Sequence, residues 1–193
     1  MEKLTRDDLL PLEDYSEQRP QWRTSMREVR RARTVHLGEH FTLLFENRQT
    51  IHYQIQEMLH IERIFDAGGI ADELNAYNPL IPDGDNLKAT LQIEYPDIDR
   101  RRVMLEKLRG VEHGGLWLEI GGERCIAIAD EDLERSDDTK TSAVHFLRYP
   151  LTEAMLRAAQ SGAEMSFGVE HPEYAHCTTV SPETRELLAS DLG

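Results

Sequence analysis

Glu57 and His60 lie three residues apart in the segment 50–66, TIHYQIQEMLHIERIFD. On a helix, that spacing puts a carboxylate and an imidazole on one face, about one turn apart. It is half of the ExxH pattern that builds carboxylate-bridged di-metal sites in helical bundles. A full site needs a second ExxH and two more glutamates, and no second ExxH falls on a credible bundle helix. His36, with His40, Glu39 and His52, would extend the pair if the chain folded back. Carboxylates and imidazoles together suit a divalent metal such as iron, manganese or zinc. As an enzyme, the chain would use Glu57, Glu62, Arg48 and Gln54 as catalytic groups, with Arg48 holding an anionic substrate. Burial would raise the Glu57 pKa and make it a proton carrier unless a cation opposes it. The alternative is a salt-bridged or hydrogen-bonded network, with Arg48 as the expected partner of Glu57.

Two further constellations carry chemistry. His145, His171, His176 and Cys177 suit a zinc site of mixed ligands, if the strand bearing His145 neighbours the turn at Pro172. Between residues 19 and 33 there are six arginines and one acid, Glu28. Arg27, Arg30, Arg31 and Arg33 there suit a phosphate or carboxylate, because guanidinium forks bind such anions bidentately. The competing expectation is internal neutralisation against acidic loops. Cys125 and Cys177 form no CxxC pair and read as free thiols. No GxGxxG, phosphate loop, GxSxG or HExxH is present, so there is no nucleotide fingerprint.

The elements that position these groups follow from periodicity. Ile51, Ile55, Met58, Ile61 and Phe65 form one helical face, with Leu59 and Ile64 at its margins. Gln54 and Glu62 fall inside that face, and His52, Gln56 and Arg63 lie opposite. Asn47 or Thr50 would cap this helix and Gly68-Gly69 would end it. Residues 21–33 read as a helix on Trp22, Met26 and Val29, after an arm 1–20 broken by Pro11 and Pro20. Segment 34–46 is a short strand or a buried helical turn, and 70–77 is a short helix. Downstream, 89–95 reads as a strand and 97–110 as a helix capped by Asp97. Strands 115–120 and 123–129 flank a hairpin turn at Gly121-Gly122. Strands 143–149 and 163–170, a helix begun by Pro150 and a last helix begun by Ser181-Pro182 complete the chain. The expected fold is α+β: a largely antiparallel sheet with helices packed on it and a helical N-terminal half. One domain spans 21–193, helical over 21–88 and sheet-rich over 89–193.

The chain has 193 residues and a formal net charge of -14. That charge disfavours nucleic acid and anionic membrane surfaces. No apolar run approaches the roughly 20 residues of a spanning helix. The first residues hold no apolar signal core, so a soluble, cytoplasmic protein is expected.

FENRQTIHYQIQEMLHIERIF from Phe45, YNPLIP from Tyr77, ATLQIEYPDIDRRR from Ala89, VHFLRYPL and GVEHPEY together resemble DUF3501, a bacterial family of unknown function. The resemblance implies a single domain with no settled activity. It also implies genes near rubrerythrin-like proteins and iron–sulfur or flavin oxidoreductases, hence a redox or oxidative-stress setting. In the family, arginine is usual where this chain carries His60, which weakens His60 as a metal ligand and favours a Glu57–Arg48 network. The leading expectation is therefore an accessory protein that binds a redox-pathway partner, because no catalytic constellation is complete. A metal-dependent enzyme and a small-anion binding module are the alternatives, and a homo-oligomer is a further expected partner state.

Overall fold

Alternation of period two organises the larger core. Phe41, Leu43 and Phe45 of strand β2 (Phe41–Phe45) are buried, while Thr42 and Leu44 are half-buried, as a pleated strand requires. The computed structural model describes residues 2–193. Strand β1 (Thr34–Leu37) turns back into β2 at Gly38, whose φ is +71°. A side chain at Gly38 would collide with Tyr174 and His176. Segment 34–46 is thus a hairpin, the strand alternative of the two the sequence allows.

β2 pairs with β3 (Asn86–Ile93), β3 with β7 (Val144–Pro150), and β7 with β6 (Ile128–Ala129). A second sheet runs β5 (Glu123–Ile126), β4 (Leu116–Ile120), β8 (Met165–His171), β9 (Tyr174–Thr179). Every pairing is antiparallel. The α+β expectation holds, with two sheets rather than one. Gly121 and Gly122, at φ +61° and +87°, make the β4–β5 turn that the sequence signals.

Inner faces of the two sheets meet through aromatic rings. Phe45 lies 4.7 Å from Phe167, which lies 5.5 Å from Tyr149, centroid to centroid. Leu118, Met165 and Val169 fill the space around them. Each such buried side chain contributes roughly 1.5–3 kcal/mol. Two seams join the sheets. At one, the chain passes from β5 to β6 through buried Ala127, whose N–H donates to the Leu116 carbonyl. At the other, the Tyr174 hydroxyl donates to the Leu37 carbonyl and accepts the His40 N–H, and Thr178 donates to the His36 carbonyl.

Helices α4 (Ile98–Lys107), α5 (Glu153–Gln160) and α6 (Pro182–Ala189) start at Asp97, Thr152 and Ser181. Each cap accepts the N–H three residues on, which satisfies one orphan donor of the first turn. Pro150 ends β7 and does not begin α5.

Three helices form a second lobe: α1 (Leu12–Ala32), α2 (Arg48–Glu62) and α3 (Ala67–Tyr77). α1 starts earlier than expected and runs through Pro20, so residues 12–20 are helical. Proline offers no N–H to the carbonyl of Ser16, but both positions are exposed and water can replace the lost bond. α2 is capped by Asn47, which exchanges bonds with Thr50. It ends at Arg63 in the left-handed region, φ +57°. Gly68-Gly69 belongs to α3 instead.

A separate core of Leu4, Ile51, Ile55, Leu59, Leu74 and Ile81 holds this lobe together. The burial of α2 departs from a single apolar face. Gln56 is fully buried, whereas Ile61 and Phe65 are 60% and 69% exposed and Glu62 is exposed. The cause is packing on two sides. The N-terminal segment crosses above Gln56, which accepts the Leu10 N–H at 2.7 Å, while α1 covers the neighbouring face. No helix of the described residues is long and apolar enough to cross a membrane.

Candidate functional site

α1 and α2 meet along a polar seam. Tyr15 and Arg19, one helical turn apart on α1, both reach Glu57 of α2. The Arg19 Nε donates to Glu57 Oε1 at 2.7 Å and Nη2 to Oε2 at 2.9 Å, and the Tyr15 hydroxyl adds a third bond. The Arg19 guanidinium holds the Glu57 carboxyl below the usual glutamate range. Burial works against it, and the Tyr15 hydroxyl and Arg23 work with it. Burial and the adjoining carboxylate push the Tyr15 phenol well up. Glu57 is therefore an ionised, saturated acceptor, and a proton carrier needs the opposite environment.

The expected Glu57–Arg48 pair is not formed. Arg48 sits at the first turn of α2, more than two turns from Glu57, and binds Asp8 in the N-terminal segment. The Asp8 carboxyl is pulled down to about 2, first by the Thr5 N–H and then by Arg48. Gln54 accepts from Arg30 Nη2 at 3.2 Å. Glu62 points to solvent at the end of α2. His60 is half-buried, its ring edge-on to Tyr15 at 5.8 Å.

The arginine segment divides into three groups. Arg33 is 3% exposed: it donates to the carbonyls of Phe45 and Glu46 and pairs with buried Asp191. It joins α1 to β2 and the C-terminus and is closed to any ligand. Arg19 and Arg30 turn toward α2. Arg30 lies over the Tyr53 ring at 5.3 Å, contacts only neutral Gln54 through Nη2, and has a buried Nε without a partner. Arg23, Arg27 and Arg31 are exposed, and none pairs with an acid among the described residues. At 100° per residue, Arg19, Arg23, Arg27, Arg30 and Arg31 occupy about 120° of the α1 surface. Internal neutralisation, expected of these arginines, is realised for Arg19 and Arg33 only.

The proposed zinc ligands are not brought together. β7, with His145, neighbours β3 and β6 in one sheet, whereas His171, His176 and Cys177 lie on the β8–β9 hairpin of the other. Consecutive strand residues point to opposite faces, which also separates His176 from Cys177. His36, exposed on β1, contacts Thr42 at 3.1 Å, and His40 stacks on Tyr95. Among the described residues, no three His, Cys, Asp or Glu side chains gather so as to hold a metal ion.

His145 has a different setting, one the sequence did not signal. Fully buried, it bonds Asp130 through Nδ1 at 2.5 Å and Thr141 through Nε2 at 2.8 Å. Thr141 donates on to buried Glu112 at 2.9 Å. Burial pushes the Glu112 carboxyl up, but bonds from Ser136, its own N–H and Thr141 outweigh this, and the net shift is downward. Arg135 closes the chain by pairing with Asp130 and Asp132. These bonds fasten the acidic loop 130–141 to β7, and the relevant residues are too scattered in sequence to form a motif. Tyr15 and Arg19 were hidden for another reason: their i, i+4 spacing was legible, but Pro20 made the segment read as a broken arm.

The geometry defines a class, an α+β protein of two mainly antiparallel sheets with helices packed around them. The chain belongs to the DUF3501 family, described as proteins of unknown function, whose match covers residues 3–192. A crystal structure of a novel protein of unknown function from Burkholderia pseudomallei superposes with a TM-score of 0.94. It has 48% sequence identity, over 100% of both chains. No curated protein matches the chain.

Proposed function

We propose that this protein is a non-catalytic accessory protein of a cytoplasmic redox or oxidative-stress pathway that docks an acidic partner through the arginine face of α1. One observation carries the reading. In a chain of net charge -14, Arg23, Arg27 and Arg31 lie exposed on one helix face, and none forms an ion pair with an acid among the described residues. A localised positive patch on a negative body orients an acidic partner during encounter and repels it elsewhere. The clamped Glu57 keeps the seam beneath the patch rigid. The redox setting is drawn from the family resemblance.

A photoreactive residue at exposed Thr24 tests this reading in cells. The expected result is one predominant adduct with an acidic redox protein, lost when Arg23, Arg27 and Arg31 are changed to Glu. No adduct, or an adduct indifferent to those changes, overturns it.

A second reading has its own observation, the unpartnered Arg30 Nε beside Tyr53. A small carboxylate or phosphate held there would make α1 an anion-binding element. Calorimetric titration with inorganic phosphate separates the two: saturable heat lost in Arg30→Ala favours this second reading.

A further inference from the structure

The first two turns of α1 and the end of α2 flank an open groove of about 800 Å³. Its floor carries Leu12, Ile61 and Phe65. Ile61, in the last turn of α2, and Phe65, just beyond the break at Arg63, are left uncovered, whereas Ile51 and Ile55 are buried in the lobe's own core. Single exposed apolar side chains are ordinary. Two that line one groove, 60% and 69% exposed, mark a contact surface.

The rims identify the occupant. Glu13 and Glu17 line the α1 side, and His60 and Arg63 line the α2 side. Arg19, between them, is already spent on Glu57. Such a surface carries both halves of its own electrostatic complement. We propose that a second copy of this chain covers the groove, in a two-fold dimer whose axis runs along it. That operator lays the acidic rim of each copy against the basic rim of the other, twice, as an isologous interface requires. Ile61 and Phe65 of each copy are then enclosed between the two. Repulsion between two acidic bodies is screened beyond about 8 Å at physiological salt, whereas the rim charges act at contact. Arg23, Arg27 and Arg31 lie on later turns of α1, so the dimer leaves them free, and the proposal stands independently of partner docking.

Sedimentation velocity of the untagged full chain across micromolar concentrations tests it. The wild type should sediment as a reversible dimer, and Phe65→Glu or Ile61→Glu should weaken association at least about tenfold. Both side chains are largely exposed, so circular dichroism should remain native. Glu13→Arg with Glu17→Arg should also weaken it, and adding Arg63→Glu should restore it. A monomeric wild type, a dimer untouched by both apolar substitutions, or no recovery on adding Arg63→Glu would each overturn the proposal.

Discussion

Arg19 holds Glu57 by two parallel N–H donors, at 2.7 and 2.9 Å, across the interface of α1 and α2. Bidentate pairing fixes both distance and plane, so this contact sets how the two helices lie against each other. Glu57→Ala should cost about 1.5–3 kcal/mol, the range for hydrogen bonds to a charged group. Urea unfolding with an unchanged slope measures it. A loss indistinguishable from that of an exposed glutamate, such as Glu62→Ala, would show that the clamp contributes nothing.

The same pair predicts an acid limb. The Glu57 carboxyl is held below its ordinary value of 4.5 in the folded protein. A lowered carboxylate stabilises the fold above its unfolded pKa and loses that contribution as pH falls through the folded one. The wild-type urea midpoint should therefore fall below pH 4.5 more steeply than that of Glu57→Gln. Parallel curves would contradict this.

Arg33 and Asp191 form a deeply buried ion pair, with side chains 3% and 6% exposed. Arg33→Ala strands a buried carboxylate and should cost about 3–5 kcal/mol. Arg31→Ala, two residues away and exposed, should stay within about 0.5 kcal/mol. Thermal midpoints of the two variants decide it, and similar losses would refute the division of the arginine segment drawn above.

His145 should be structural. His145→Ala takes one partner each from Asp130, which keeps Arg135, and from Thr141, which keeps Glu112, and should cost about 1–3 kcal/mol. Limited proteolysis should then cut loop 130–141 faster than in the wild type. Unchanged cleavage would mean that the His145 bonds do not fasten the loop.

Zinc should not stabilise the fold through His145, His171, His176 and Cys177, because they are divided between two sheets. A ligand that binds only the folded state raises its stability in proportion to RT ln(1 + [L]/Kd). A midpoint that rises with added zinc and falls back in Cys177→Ser would reverse this assignment.

Local chemistry was the most legible part of the sequence. The Asn47, Asp97 and Ser181 caps and the Gly121-Gly122 turn each depend on neighbours within four residues. The demand that Glu57 find a partner was also legible, since an unmatched buried charge is costly wherever it sits. The partner's identity was not, because Arg19 lies 38 residues away and only α1 packing brings it close. A helical wheel assumes one buried face and so puts Gln56 on the outer side and Glu62 on the inner, while α2 is covered on two. Phe65 reads as core by the same wheel, yet α2 breaks at Arg63 and Phe65 lies beyond the helix.

The hydroxyls of Tyr174 and Thr178 have an effect beyond joining the sheets. They occupy the carbonyls of Leu37 and His36 on the outermost strand of the larger sheet. The His36 carbonyl faces away from β2, so an extended peptide arriving at that border finds one acceptor already taken, which disfavours the chain-to-chain strand addition that seeds aggregates.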